Sequence, residues 1–369
     1  MQIPLLDLKR MARRIKEEVF GEWEKAIDEM RLLGGKNLEA FEKEMANYLG
    51  VKYAFGVASG SDALLLGLIA AGVRPGDEVI VHANAFMAAV EAIKWAGGKP
   101  VLVDANEKDF GPDPEGLKKA ITPKTKAVIV VHMYGHPVEL EPVLELKNRY
   151  GFRLIEDCSH AHGAEYKGKK VGSFGDVGCF SCGVVKNLGA FGDAGFCTTN
   201  DPNIAEKLDL LRGTRPKEKK GQHALYGFNS RLDELQAVVL RIRLKTLDED
   251  NKRRREIANS YTQAFQNIKD LIPPPEFKDR LSVYHRYVVR TPKRDELASF
   301  LKAKGIETGV QYPLPLHKQE AWIKEGFERY ELPVSEKICS QVLSLPLYPE
   351  LEEEEIQYVI KSVKEFFKT

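Results

Sequence analysis

The chain has 369 residues, enough for a two-domain enzyme or one large α/β unit with an appendage. Its 55 basic and 54 acidic side chains balance, which excludes a strongly basic nucleic-acid binder or an anionic-membrane binder. The N-terminal run MQIPLLDLKRMARRIKEE turns charged at once and no apolar run reaches spanning length, so a soluble, cytoplasmic protein with no membrane partner is expected.

Residues 1–50 read as helices, IKEEVFGEWEKAIDEM and LEAFEKEMANYLG, with a turn at Gly34-Gly35. A short buried strand, Tyr53 to Ala58, then leads through Ser59-Gly60-Ser61-Asp62 into the helix ALLLGLIAAG. Small residues at such a turn leave backbone N–H groups free for a phosphate, and the same residues also serve as an ordinary N-cap. Strands and helices alternate from there: Glu78–Val81, the helix FMAAVEAIKWAGG, Val101–Asp104, a helix over Pro114–Ile121, and Ala127–Val131. This rhythm, with nearly continuous apolar strands, predicts a mainly parallel sheet flanked by helices on both faces. Phe86 opens a helix right after a strand, where its ring can stack on a flat ligand or fill the core.

The stretch Phe152 to Asn200 carries the chemistry. One apolar run ends in Glu156-Asp157, a second covers Val177–Ser181, Lys186 follows, and a third run covers Ala194–Thr199. Ligands of open α/β sheets bind outside the carboxyl ends of the strands. A carboxylate and a lysine meeting there suit pyridoxal phosphate, which needs an amine for its Schiff base and an acid to keep the pyridine nitrogen protonated. The five cysteines are an odd set in a long chain and argue against a disulfide framework. Cys179-x-x-Cys182 has no second pair and no His pair beside it, so packed thiols, and no metal, are expected.

After Asn200 the chain reads as a helix, PNIAEKLDLLRGT, then a basic loop, Arg212 to Phe228, that contains His223; its length hints at function, and its lysines read either as a solvated face, the commoner case, or as a site for an anionic ligand. One long helix, LQAVVLRIRLKTLDEDNKRRREIANSYTQAF, follows. Pro273-Pro274-Pro275 is the clearest linker, VYHRYVVRT alternates like a strand, ETGVQY suggests another, and two helices close the chain. The expected division is a large α/β domain over 1–244 and a small α+β domain over 245–369, with the N-terminal helices possible partners of the latter.

The ordered motifs VASGSDALLLGL, EDCSHAHGAEYKGKKVGSFGDVGCFS, KNLGAFGDAGF, GFNSRLDELQAVVL, QYPLPLH and LSLPLYP make this sequence resemble the DegT/DnrJ/EryC1/StrS family of sugar aminotransferases. That resemblance implies the aspartate-aminotransferase fold (fold type I), pyridoxal 5'-phosphate as cofactor, and a homodimer with shared active sites. By the same resemblance Lys186 is the lysine that holds the cofactor and moves the proton, and Asp157 the acid on its ring nitrogen. Gly60, Ser61 and Ser181 match phosphate positions, Phe86 the stacked aromatic, and His160 a residue beside the cofactor. Asn229 matches an Asn that reaches the neighbouring subunit's phosphate, and His223, Tyr312 and His317 match substrate-side positions.

The implied reaction is transfer of an amino group from an amino acid, L-glutamate first, to a nucleotide-linked keto-sugar. A keto-cyclitol acceptor, a sugar dehydratase and a non-catalytic regulator are the alternatives; the dehydratases replace the lysine with His, and Lys186 is present. Two departures stand out. Ser181-Cys182-Gly183 gives a roomier wall than the family's usual aromatic run, and GGKN replaces the frequent Gly-Pro form, leaving Lys36 to face substrate or solvent.

Overall fold

The computed structural model describes residues 1–213, 224–327 and 330–368. Its N-terminal part is built from α1 (Leu8–Asp28), α2 (Lys36–Leu49), β1 (Tyr53–Val57), α3 (Gly60–Ala70), β2 (Glu78–His82), α4 (Met87–Trp95) and β3 (Lys99–Val103). The middle adds α5 (Pro114–Ala120), β4 (Thr125–Val131), α6 (Glu141–Tyr150), β5 (Arg153–Asp157), the two-residue strands β6 (Glu165–Tyr166) and β7 (Lys169–Lys170), β8 (Val177–Ser181), β9 (Gly195–Thr199) and α7 (Pro202–Gly213). The C-terminal part comprises α8 (Glu234–Leu244), α9 (Leu247–Phe265), β10 (Arg280–Leu281), β11 (Tyr287–Arg290), α10 (Arg294–Ala303), α11 (Glu320–Lys324), α12 (Pro333–Gln341), β12 (Val342–Leu345) and α13 (Glu353–Phe367).

Seven strands form one sheet in the order β1-β9-β8-β5-β4-β2-β3. The β8-β5-β4-β2-β3 portion is parallel, while β9 runs antiparallel to both β8 and β1. Both faces are buried. On β4, Ala127, Ile129 and Val131 enter the core under α3 and α4, and Val128 and Val130 enter the opposite core with Phe180 and Phe196. This period of two explains the unbroken apolar strands.

A third core gathers Ile3, Tyr261, Phe265, Tyr287, Leu343, Val359 and their neighbours around the β11–β12 pair. The C-terminal segment is not confined to it, since Leu316, Trp322 and Ile338 pack into the α3–α4 side of the sheet. The N-terminal residues divide likewise. Val19 of α1 packs on Val238, Val239 and Ile242 of α8, whereas Arg10 binds Glu355 of α13 through two 2.7 Å hydrogen bonds.

Two local readings change. The single long helix expected over 235–265 is broken at Lys245-Thr246, where Thr246 leaves helical geometry (φ −113°, ψ 3°). Asp248, Glu249 and Asp250 then fill the first turn of α9, where acidic groups meet the positive helix end. The strand expected over 307–312 is reduced to a bridge between Gly309 and Ser344. Gly35, ahead of α2, supplies no side-chain cap; the Glu234 carboxylate does so instead, accepting from Asn37 N at 2.7 Å and Leu38 N at 3.1 Å.

Candidate active site

A cavity of about 140 Å³ opens at the carboxyl ends of the parallel strands, and Gly60, Phe86, Asp157, His160, Ser181 and Lys186 line it. Each arrives there for a topological reason. Asp157 ends β5 and Ser181 ends β8, Gly60 and Ser61 start the helix after β1, and Phe86 caps α4 just after β2. Because β9 is reversed, the loop entering it brings exposed Asp193 to the same mouth. Met133, Ser159 and Tyr312 also line the cavity.

The tandem acids at the end of β5 point to opposite faces of the sheet. Asp157 follows Ile155 to the α3–α4 side and reaches the cavity; its Oδ1 accepts from Ser159 N at 3.0 Å. Glu156 follows Leu154 into the other core and is fully buried. It accepts from the backbone N–H of Gly172 (2.8 Å), Phe174 (2.8 Å) and Gly175 (2.7 Å), and lies 3.2 Å from His132 Nε2. Glu156, His132 and Cys158 are close enough to resemble a metal-binding group. The saturated carboxylate and a thiol pushed up by burial make this a structural knot.

The turn into α3 is tight. Ser59 caps α3 by accepting from Asp62 N at 3.1 Å, so its hydroxyl is the N-cap, and the N–H groups of Gly60 and Ser61 begin the helix at the cavity. Only glycine fits at position 60, because a β-carbon there would lie 2.3 Å from Ser181 Cβ.

Lys186 is half-buried in the loop after β8, and burial lowers its amine from the ordinary 10.5 to about 8, with Asp157 pulling it upward and Arg286 pushing it further down. The loop is anchored by its next residue. Asn187 Nδ2 donates to Asn251 Oδ1 (3.0 Å) and Val283 O (3.1 Å), and its Oδ1 lies 3.1 Å from His285 Nδ1. His160 stacks on His285 with ring centroids 4.4 Å apart. Burial, then the positive charges of Lys186 and Arg286, push His160 well below the usual histidine range, so it is neutral. Its Nδ1 accepts from Tyr134 N at 3.3 Å, which leaves the hydrogen on Nε2.

Phe86 is half exposed and stacks on Tyr312 at 5.1 Å. Among the remaining expectations, one is placed outside the cavity. His317 is buried elsewhere, with Nε2 3.0 Å from Glu336 Oε1. Asn229 is exposed and accepts from Arg231 at 3.1 Å. His223 lies outside the described residues. Lys36 pairs with Glu29 at 2.6 Å and faces solvent. Cys179 and Cys182 are both buried thiols with different neighbours, the first donating to Ala63 O and the second 3.8 Å from His162.

The family model described as the DegT/DnrJ/EryC1/StrS aminotransferase family matches residues 13–364. This chain belongs to that family. Among DegT/DnrJ/EryC1/StrS relatives it is 42% identical over 365 residues to the dTDP-3-amino-3,4,6-trideoxy-alpha-D-glucose transaminase of Streptomyces venezuelae, covering 99% of this chain and 96% of that one. It is 41% identical over 372 residues to a "pleiotropic regulatory protein" of Geobacillus stearothermophilus, covering 100% and 99%. The crystal structure of NtdA from Bacillus subtilis with bound cofactor PMP superposes with a TM-score of 0.93 at 31% identity, covering 100% of this chain and 86% of that one. The DegT/DnrJ/EryC1/StrS fold, an α/β unit with a mostly parallel central sheet, is the one expected from the strand–helix rhythm.

Proposed function

We propose that this chain is a pyridoxal-phosphate-dependent aminotransferase that moves an amino group from an amino acid, with L-glutamate as donor, to a nucleotide-linked keto-sugar. One observation carries the reading: a lysine of lowered basicity, a buried carboxylate and a helix N-terminus open to an anion share one cavity. The residues fit the cofactor, since Gly60 lets the N-terminus of α3 close on Ser181, which brings backbone N–H groups and the hydroxyls of Ser61 and Ser181 to the cavity that Asp157 and Lys186 also line. Acceptors of the nucleotide-sugar class are supported by the Streptomyces relative, whose name is that of a dTDP-sugar transaminase.

In this reading Gly60, Ser61 and Ser181 hold the phosphate, and Phe86 covers one face of the ring. Pyridoxal phosphate, when bound, supplies an electron sink for the carbon that loses its proton. Asp157 would face the ring nitrogen and hold a proton on it. Lys186 Nζ takes the proton from the amine-bearing carbon of the substrate, for which it must be neutral, and burial favours that form. His160, fixed in one tautomer, donates from Nε2. Tyr312, stacked on Phe86, meets the substrate side.

A second copy of the chain completes the enzyme. Asn229 is exposed beside Leu225, Tyr226 and Phe228, three exposed apolar side chains that support a covered surface there. A regulatory role, suggested by the name of the Geobacillus relative, gives no reason to bury Asp157 beside a lysine. The deciding experiment adds pyridoxal phosphate and looks for a visible band, then offers the aminated enzyme a panel of nucleotide keto-sugars and follows the band's return. A colourless protein after dialysis against the cofactor rejects the reading.

A further inference from the structure

Four arginines are nearly buried around the Lys186 loop and β11, and three of them are satisfied. Arg243 donates to Gly189 O and Asn187 O at 2.7 and 3.0 Å. Arg254 donates to Leu347 O at 3.1 Å and Tyr284 O at 3.4 Å. Arg290 pairs with Glu107 at 2.9 Å. Arg286 is only 9% exposed, yet among the described residues no carboxylate stands within ion-pair distance of it, and its Nε is buried without a partner. A buried cation with nothing opposite it is costly, and such sites are kept where a ligand brings the missing charge.

Its position says which ligand. The Arg286 N–H donates to Tyr134 O at 3.3 Å, and the residue before it, His285, stacks on the cavity-lining His160. Along the strand, Tyr287 and Val289 face the third core, whereas Val288 belongs to the sheet-side core. By alternation Arg286 shares the side of Val288. The charge of Arg286 pushes the Lys186 amine and His160 down and bears on Tyr312, which lines the cavity with them. The cation therefore stands near the reacting amine, while the Gly60 cradle supplies a separate place for phosphate.

In an amino acid the transferred amine and the carboxylate share one carbon. When that carbon meets Lys186, the carboxylate must lie one bond further on, and a guanidinium fork matches it with two parallel hydrogen bonds. A keto-sugar carries no charge on the corresponding carbon. We infer that Arg286 anchors the α-carboxylate of the amino-acid donor and so discriminates the donor from uncharged amines; this rests on the aminotransferase reading above.

The test uses the chain loaded with pyridoxal phosphate and two reagents that attack the same linkage, aminooxyacetate, which has a carboxylate, and methoxyamine, which has none. Arg286→Leu should cut the preference for aminooxyacetate about a hundredfold and leave the methoxyamine rate within about twofold. Arg286→Lys, which keeps the charge but not the fork, should fall between. Calorimetric titration of 2-oxoglutarate into the loaded protein should lose its signal in Arg286→Leu, and that variant should melt no lower than the parent chain without ligand. An unchanged preference in both variants, an equal slowing with both reagents, or weakened cofactor uptake overturns the inference. A parent chain that shows visible absorbance but no carboxylate preference overturns it alone; one that binds no pyridoxal phosphate overturns the aminotransferase reading as well.

Discussion

Arg243 holds the peptide just beyond Lys186, its guanidinium donating to Gly189 O at 2.7 Å and Asn187 O at 3.0 Å. The loop that carries Lys186 is thus pinned from α8. Arg243→Met leaves two buried carbonyls without donors, which costs about 1–3 kcal/mol each. Chemical denaturation should show a loss of about 2–4 kcal/mol, and turnover should fall further than stability alone requires because Lys186 is no longer held in place. A variant as stable and as active as the parent contradicts the anchoring role.

Lys186→Ala should abolish covalent capture of the cofactor. After borohydride reduction, mass spectrometry should find the cofactor on the Lys186 peptide of the parent and on no peptide of the variant. Turnover should drop by about a thousandfold or more, as when a group serving as both nucleophile and proton carrier is lost.

Asp157→Asn keeps the shape of the site and removes its charge. The variant should still take up the cofactor, while turnover falls about a hundredfold or more, the scale at which misplaced protonation acts on acid–base chemistry. Its neighbour behaves oppositely. Glu156→Ala removes the acceptor of three backbone N–H groups in a dry core, so unfolding should become easier by about 3–5 kcal/mol.

The pH dependence follows from burial of Lys186, which lowers its amine from 10.5 to about 8. Between these values the unfolded chain binds the proton and the folded chain does not, so this residue's contribution to stability rises with pH across that window. Below about pH 8 both states are protonated, and the cost of the buried cation is present in full. Lys186→Met in the cofactor-free chain should therefore melt above the parent at pH 7, with the gap closing as pH rises from 8 toward 10.5. Cofactor capture by the parent should climb to a plateau with its midpoint near 8.

Much of this was legible in the residues. The β-α alternation gave the sheet, and the spacing of Asp157 and Lys186 across two strand ends gave the cavity, because parallel topology brings strand ends together whatever their separation in sequence. What the pattern could not carry was the difference between Glu156 and Asp157, which depends on which face of β5 each takes. Arg286 gave no signal either, since an arginine in VYHRYVVRT is read as a solvated strand position until its missing partner is seen. His317 shows the reverse limit. A motif position can be right in register while its side chain turns away to bind Glu336. The break at Thr246 was marked only by the acidic run after it, which periodicity alone passes over.

The side chain of Asn187 is a tripod, with feet on Asn251, Val283 and His285. It follows Lys186 directly, and all three feet stand on the C-terminal part of the chain. A shift of that part against the sheet would tug the Lys186 amine through one carboxamide, so the alignment of that amine records how the two halves of the molecule are seated.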